Sequence, residues 1–383
     1  MASLPIPSAQ AQAHSAQLQS LIQQHVEQQG GWIDFASFMH MALYTPSLGY
    51  YSGGAKKFGF GGDFVTAPEI SPLFAQALAK QVAQVLQLTR GEVLELGAGT
   101  GKLAADLLLA LAQLDTLPSH YYVLEVSDYL RQVQREYLCE QLPKSLFDRL
   151  VWLDTLPEAF CGMVLGNEVL DAIPVHLVSK QNGDLVERGV IWQDGFAWKN
   201  KPLSAGSLFN QVIELNLPDG YLTEISPAAT GLMRSLASCL KHGLIAMIDY
   251  GFGASEYYHP QRTAGTLMCH FQHHAHDNPL MYVGLQDITA HVNFTAIAEA
   301  AHTEDLSVMG YLNQANFLIN CGLLHILEQA SPEHMDVYAP MVSAVQKLLS
   351  PAEMGELFKV ILLGKGIDVP LVGALQGDKR HTL

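Results

Sequence analysis

Along most of the chain, apolar positions follow two patterns: short continuous runs, which are typical of buried strands, and a spacing of three to four residues, which is typical of helices. From residue 92 onward, short apolar runs bounded by turn residues alternate with amphipathic segments of helical period. This alternation predicts a parallel, doubly wound α/β sheet. The predicted strands are residues 92–96, 121–126, 150–153, 162–166, 244–248 and 359–364. The predicted helices beside them are residues 103–114, 128–140, 228–242, 294–302 and 311–321.

The chain before residue 90 has a helical pattern interrupted by an aromatic loop. Helices are predicted at residues 15–29, 34–43 and 71–87, the last with Ser71 as N-cap and Pro72 at the first helical position. Residues 44–62 are rich in Gly, Tyr, Pro and Ser, which is typical of a lid or binding loop.

Turn signals at residues 181–184 and 193–195 predict antiparallel strands over residues 177–198, within the α/β frame. We therefore expect a helical and lid region over residues 1–70. A Rossmann-like catalytic core over residues 71–383 would follow it, with an insertion at about 177–225.

The net charge and the apolar pattern of the chain limit which classes of partner and which cellular compartment are expected. The chain has 37 acidic and 21 basic residues, a formal charge of −16, and this charge disfavours nucleic acid and anionic membranes as partners. The acidic surface suits either a cationic partner or simple solubility. The sequence lacks an apolar run of membrane-spanning length, a signal peptide and a transit peptide, which favours a bacterial-type cytoplasmic enzyme.

A glycine-rich turn follows the strand predicted at residues 92–96. Dinucleotide-binding turns have the pattern Gly-x-Gly-x-x-Gly, whereas here the third glycine comes one residue earlier. With Glu95 before it, the turn suits a cofactor that has an amino-acid tail and lacks a pyrophosphate. The alternative is a turn needed only for strand-to-helix packing. The candidate cofactor-binding residues are Glu95, Gly97, Ala98, Gly99 and Gly101.

Polar side chains follow the next three strands, at the edge of the sheet where ligands of α/β folds bind. Glu125 is placed to accept hydrogen bonds from both ribose hydroxyls, and Asp154 to meet an adenine amino group; solvated strand-end carboxylates are the alternative. Asn167, Glu168 and Asp171 follow the fourth strand. A helical turn there would place both carboxylates on one face, able to hold a cationic substrate, unless they only cap or face solvent.

Metal ligands are not indicated by the cysteines or the histidines. The five cysteines are far apart, and a disulfide framework or zinc knuckle is not expected. His270, His273, His274 and His276 lie in a predicted polar loop without an acidic or thiolate partner at a recognisable spacing. We therefore expect no metal.

Four blocks of sequence resemble the MidA-like class I methyltransferases, which are related to a mitochondrial complex I assembly factor that acts as a protein arginine methyltransferase. The blocks are residues 43–51 (LYTPSLGYY), 62–71 (GDFVTAPEIS), 167–176 (NEVLDAIPVH) and 265–293. With the glycine turn and Asp249-Tyr250-Gly251 they extend over most of the chain. Val169-Leu170 and Ala67 depart from the family pattern, and these differences bear on the shape of the pocket and on the substrate more than on the reaction.

This resemblance implies a class I methyltransferase sheet that binds S-adenosylmethionine and methylates a protein, with arginine as the acceptor. It makes Glu168, Asp171 and Asn167 the candidate catalytic residues, and Asn167 a cofactor contact as well. Residues 59–69 would close over the cofactor as a lid, and the cofactor contacts implied there are Gly62, Asp63, Thr66 and Pro68. The protein partner expected from the resemblance is a respiratory or other cytosolic protein, with a role in complex I assembly.

Two other functions fit the same core. One is a small-molecule O- or N-methyltransferase, and the other is a non-catalytic assembly factor that keeps the fold to bind a partner. The intact glycine turn and Glu125 argue against the second.

Overall fold

The computed structural model describes residues 4–53, 66–331 and 333–383, which form two compact units. The large-sheet unit contains the described residues within 65–170, 232–254 and 292–383, and the small-sheet unit those within 1–64, 171–231 and 255–291. Gly62 and Asp63 lie outside the described residues, as does most of the predicted lid. The domain boundaries stay a prediction.

The helices and strands lie as follows. The helices are α1 Ala9–Gln28, α2 Phe35–Tyr44, α3 Ala67–Ile70, α4 Pro72–Thr89, α5 Lys102–Gln113, α6 Asp128–Gln141, α7 Lys144–Phe147, α8 Ser207–Ile213, α9 Pro227–Cys239, α10 Ala254–Tyr257, α11 Phe294–His302, α12 Gln314–Asn320, α13 Leu323–Glu328, α14 Met335–Leu349 and α15 Met354–Leu357. The strands are β1 Ile33–Asp34, β2 Glu92–Leu96, β3 Tyr121–Leu124, β4 Leu150–Leu153, β5 Phe160–Asn167, β6 His176–Gln181, β7 Asp184–Trp192, β8 Phe196–Pro202, β9 Leu222–Ile225, β10 Leu240–Phe252, β11 Met268–Phe271, β12 His274–His276, β13 Asp287–Thr289, β14 Val292–Asn293, β15 Ser307–Asn313 and β16 Phe358–Lys365.

The large sheet has the strand order β15-β16-β10-β5-β2-β3-β4, with β14 beside the end of β10. The pairs from β10 to β4 are parallel, and β16 runs antiparallel to both of its neighbours. From β2 the chain proceeds outward to β3 and β4 and then returns to β5 on the other side. The order therefore reverses between β2 and β5, and the carboxyl ends of such a strand pair are where open α/β sheets bind ligands. The fold is the predicted Rossmann-like α/β class.

The central strands form because their sequences are almost continuously apolar. Side chains of β2, β5 and β10 are buried over most of each strand, as expected for a parallel sheet covered on both faces. Helix α4 covers part of this core and begins as predicted, with the Ser71 hydroxyl accepting from the Leu73 N–H at 3.2 Å. Among the described residues, no helix is both long and apolar enough to cross a membrane.

The small-sheet unit contains the antiparallel strands predicted near residues 177–198. Strands β1, β7, β6 and β9 lie in that order, and β8 pairs with β7. The β6–β7 hairpin turns at Asn182 and Gly183, both with positive φ, as the sequence predicted. A second sheet has the order β12-β11-β13. Apolar side chains of α1 and α2, such as Leu18 and Phe38, are fully buried in this unit's core.

Three elements differ from the sequence prediction. Residues 311–321 were expected to be helical, but residues 311–313 end strand β15 and only Gln314–Asn320 is a helix. A short apolar run has no period that separates strand from helix, and here pairing with β16 determines the outcome. Similarly, α9 ends at Cys239, and residues 240–242 begin β10. The histidine run forms the β11–β12 hairpin and is not a loop.

The buried Glu224 carboxylate organises the start of the 265–293 block. It accepts hydrogen bonds from the Thr266 N–H at 2.9 Å, the Thr266 hydroxyl at 3.1 Å and the Leu267 N–H at 3.1 Å. Gly265 has φ +77°, and a Cβ there would lie 2.1 Å from the Glu224 Oε1. Both the backbone conformation and the carboxylate therefore require glycine at this position.

Gly265→Ala should lower the free energy of unfolding by about 2–4 kcal/mol, because it adds backbone strain and displaces a buried carboxylate from its donors. Chemical denaturation followed by circular dichroism measures the change. The matched control is Gly231→Ala within α9, where an added Cβ meets no described atom within 4 Å. That change should leave stability the same or slightly higher. Equal effects of the two substitutions would contradict the assignment.

Candidate functional site

The glycine turn joins β2 to α5 at the point where the strand order reverses. Gly97, Gly99 and Gly101 have φ values of 57°, 53° and 90°, a left-handed conformation that glycine adopts without a steric penalty. The Gly97 N–H donates to the Leu124 carbonyl at 3.0 Å, which fixes the turn to the end of β3. A Cβ on Gly99 would meet no described atom within 4 Å, and the backbone there is open to a ligand. Ala98 between them is buried.

The loop after β5 touches this turn. A Cβ on Gly97 would lie 3.3 Å from the Val169 Cγ2, which shows how closely the two loops approach. The Asp249 carboxylate, at the end of the apolar part of β10, holds the loop in place. Its Oδ2 accepts from the Val169 N–H at 3.1 Å and the Leu170 N–H at 2.9 Å. Asp249 is almost fully buried, and its positioning role was not predicted from the sequence.

Asn167 and Glu168 lie at the carboxyl end of β5, beside the glycine turn. Glu168 has φ +53°, an uncommon conformation for a residue with a side chain and one found often at functional sites. Its Oε1 accepts from the Asn167 Nδ2 at 3.2 Å and the Ala67 N–H at 3.4 Å. The Asn167 Oδ1 is buried and has no hydrogen-bond partner among the described residues. This buried acceptor is suited to a donor on a ligand.

The helical turn predicted after Asn167 does not form. Residues 168–173 form bends and a turn, because Glu168 takes a left-handed conformation and its N–H donates to the Ile248 carbonyl at 2.8 Å. Asp171 belongs to the small-sheet unit, where its carbonyl accepts from the Ala290 N–H at 3.0 Å. Its side chain is buried. Joint action of Asp171 with Glu168 stays a prediction.

A hydrogen-bond network connects Glu125 to the glycine turn. The Gln134 Nε2, on α6, donates to the Glu125 Oε2 and to the Gly99 carbonyl, each at 3.0 Å. The Gln134 Oε1 accepts from the Trp152 indole N–H at 3.0 Å, so both the nitrogen and the oxygen of the amide are hydrogen-bonded. The Ser127 N–H donates to the other Glu125 oxygen at 3.0 Å. Burial raises the pKa of Glu125 above its ordinary value, while these donors oppose the shift.

Gln134 was not predicted from the sequence, although a signal was present. It is a fully buried polar residue within the amphipathic helix α6, between the buried Leu130 and Leu138. A glutamine on the apolar face of a helix needs buried partners, and a ligand-binding loop can supply them. The spacing therefore indicated a buried amide network, but not its partners.

Glu95 and Asp154 occupy opposite environments. The Glu95 Oε2 accepts from the Tyr121 hydroxyl at 2.7 Å, and burial raises the pKa of Glu95 to about 7, with a further contribution from Glu125. The Asp154 side chain is 88% exposed and pairs with the Arg131 guanidinium at 2.6 Å. An adenine contact by Asp154 stays a prediction, as does a cofactor contact by Glu95.

The end of the predicted lid meets the glycine turn through Glu69. Thr66 precedes the short helix α3, in which Pro68 is buried. The Glu69 Oε1 accepts from the Thr100 hydroxyl at 2.6 Å, and this contact was not predicted. The described part of this segment is therefore attached to the turn through Glu69 and to Glu168 through Ala67. The roles of Thr66 and Pro68 toward a cofactor stay predictions.

Comparison with known proteins identifies the class of this fold. A family model described as "Putative S-adenosyl-L-methionine-dependent methyltransferase" matches residues 77–312, which is more than half of the chain. A Burkholderia thailandensis protein solved with bound S-adenosyl-homocysteine is 48% identical, covers 100% of both chains and has a TM-score of 0.96. A native structure from the same organism is 47% identical, with 100% coverage of both chains and a TM-score of 0.94.

Curated relatives are more distant in sequence. The Drosophila melanogaster protein arginine methyltransferase NDUFAF7 homolog, mitochondrial, is 28% identical over 88% of this chain and 82% of its own length. The Homo sapiens protein arginine methyltransferase NDUFAF7, mitochondrial, is 25% identical over 87% of this chain and 80% of its own length.

Glu95→Gln should make the free energy of unfolding less dependent on pH. The folded chain holds the Glu95 proton up to about pH 7, whereas the unfolded chain releases it near the ordinary value of 4.5. The folded state therefore binds more protons between these values, and Glu95 contributes a loss of stability as pH rises. Urea unfolding measured between about pH 4 and pH 8 should show that this loss of stability is about 3 kcal/mol smaller in the variant than in the unmodified chain. The control is the exposed Glu140→Gln; equal slopes in both variants would refute the assignment.

Proposed function

The chain belongs to this family of S-adenosyl-L-methionine-dependent methyltransferases, and we propose that it methylates an arginine guanidinium of a protein. The observation that carries the proposal is the Glu168 carboxylate, held by a left-handed backbone conformation beside the glycine turn and hydrogen-bonded to the Asn167 amide. The names of the curated relatives support arginine as the acceptor.

The groups around the turn fit S-adenosylmethionine, the cofactor of this family. The open backbone at Gly99 accommodates a ligand. The Asn167 Oδ1, which has no partner in the described part of the chain, can accept from the amino groups of that ligand. Glu125 would accept from the ribose hydroxyls; the Gln134 network fixes the orientation of its carboxylate. Glu95 is a candidate partner for the ammonium of the cofactor's amino-acid tail. When bound, the cofactor supplies a methyl group already activated by its sulfonium.

Glu168 has the properties required to prepare an arginine for attack. A guanidinium stays protonated near neutral pH, and its charge is delocalised over three nitrogens. A carboxylate that is hydrogen-bonded to one side of the guanidinium localises the positive charge on the nitrogens of that side. It also orients the remaining nitrogen toward the methyl group. The Asn167 amide and the Ala67 N–H hold the Glu168 Oε1, which limits the directions the carboxylate can take. Asp171 is proposed as the second carboxylate.

A respiratory-complex subunit is the acceptor suggested by the family resemblance, with complex I assembly as the process. The cytoplasm stays the predicted compartment. The test of the acceptor class is incubation with methyl-labelled S-adenosylmethionine in a lysate from a deletion strain, followed by mass spectrometry. Labelled arginine in a protein supports the proposal. Label confined to small metabolites contradicts it in favour of a small-molecule methyltransferase, and absence of any labelling favours a non-catalytic assembly factor.

Glu168→Gln should lower the turnover rate of labelling by about 10²–10³-fold, because the neutral amide cannot localise the guanidinium charge. Cofactor affinity should change less than threefold, since the amide keeps the shape of the side chain. Labelling rates and isothermal titration with S-adenosyl-homocysteine measure the two quantities. Glu136→Gln, an exposed change on α6, is the control for charge removal. Full activity in Glu168→Gln would refute the assigned role.

Glu125→Gln should weaken S-adenosyl-homocysteine binding at least tenfold, because one of the two ribose-accepting oxygens becomes a donor and clashes with the Gln134 amide donor. Titration calorimetry measures the affinity, and Glu136→Gln again provides the control. Unchanged affinity would mean that Glu125 does not bind the cofactor and only accepts the hydrogen bonds of Ser127 and Gln134.

A further inference from the structure

One carboxylate from each of two strands and a histidine from a third meet on one face of the small sheet. Asp34 on β1 pairs with Gly189 on β7, and Glu187 lies two residues before Gly189 and therefore on the same face. Strand β6 also pairs with β7. Leu177 pairs with Arg188 there, so His176, one residue earlier on β6, lies at the level of Gly189. A Cβ on Gly189 would lie 2.2 Å from the Ile33 carbonyl oxygen and 2.4 Å from the Trp32 ring, so only glycine fits where the three strands meet.

The potential ligand atoms are close enough for one ion. The His176 Nδ1 and the Glu187 Oε1 are 2.6 Å apart, and the ligand atoms of Asp34, His176 and Glu187 all lie within 4.8 Å of one another. Zinc binds nitrogen and oxygen ligands at about 2.0–2.2 Å, which separates two ligands of a tetrahedral ion by about 3.4 Å. Small side-chain rotations would therefore bring all three atoms onto one ion.

The surroundings hold the ligands and leave their negative charge poorly compensated. The Ser37 N–H donates to the Asp34 Oδ1 at 2.7 Å and so fixes that carboxylate at the start of α2. Lys201, opposite Glu187 on β8, has its ammonium 4.3 Å from the centre of the Trp32 ring. Within the described residues, Lys and Arg form no ion pair with either Asp34 or Glu187. The two partly buried carboxylates therefore have His176 as the one potentially cationic side chain of their cluster.

We propose that Asp34, His176 and Glu187 bind a zinc ion, through the His176 Nδ1 and one oxygen of each carboxylate, with water as the fourth ligand. The ion would replace the proton between His176 and Glu187 and cross-link strands β1, β7 and β6. The site is separate from the histidine run of the β11–β12 hairpin, and it does not depend on the proposed methyl transfer. The proposed role of the zinc ion is structural. An ion that binds the folded chain and not the unfolded chain stabilises the folded state.

The test is isothermal titration of zinc into the full chain after chelator treatment and buffer exchange. We expect one site with a dissociation constant of micromolar or below, and a rise of several degrees in the thermal midpoint at saturation. Asp34→Asn should weaken zinc binding at least tenfold. Asparagine caps a helix as well as aspartate does, so the metal-free variant should keep its fold and thermal midpoint.

His274→Gln removes an exposed histidine of the hairpin and is the control for adventitious binding; it should leave the affinity unchanged. His176→Gln is the second test variant and should also lose at least tenfold in affinity, with circular dichroism confirming its fold. Absence of zinc binding by the unmodified chain would overturn the proposal. So would a site unaffected by both Asp34→Asn and His176→Gln, because the three side chains would then form an ion pair only.

Discussion

The hydrogen bonds from the loop after β5 to the buried Asp249 carboxylate are the contacts on which the geometry of the candidate site depends. Burying a carboxylate is costly unless donors compensate it, and here the N–H groups of Val169 and Leu170 do so. The same contacts keep Glu168 in a conformation that a side chain disfavours. Because Asp249 lies on β10, the neighbour of β5, the parallel pairing of these strands sets the position of the proposed catalytic carboxylate.

The reversal of strand order between β2 and β5 explains why remote segments of the chain meet at one point. Loops leaving neighbouring parallel strands emerge at the same edge and diverge only where the order reverses. Glu69 and Gln134 connect the glycine turn to α3 and α6, so the turn is held from both sides by side-chain hydrogen bonds. A backbone cradle fixed in this way loses little conformational freedom when a ligand binds, which favours affinity.

The sequence predicted the strands from β2 to β5 and the glycine turn well, because apolar runs and glycines determine local structure directly. It did not predict the partners of Asp249 or Gln134, since a buried polar residue indicates that partners exist without naming them. The end of β15 was mistaken for helix because pairing with β16, a distant segment, determines its structure. Likewise, the helical turn expected after Asn167 fails because Glu168 bonds to Ile248 on another strand. Prediction failed where long-range contacts outweigh local preference.

The block of residues 167–176 carries separate physical tasks in the two units. Its first residues end β5 and offer Asn167 and Glu168 at the glycine turn. Asp171 begins the small-sheet unit, and its side chain is buried there. His176 begins β6, and its Nδ1 forms a hydrogen bond with the Glu187 Oε1 at 2.6 Å. A family signature in this block therefore does not by itself identify catalytic residues, because its first residues lie at the glycine turn and its last residue belongs to the small sheet. Substitutions must be assigned to one task or the other by separate measurements of turnover, cofactor affinity and stability.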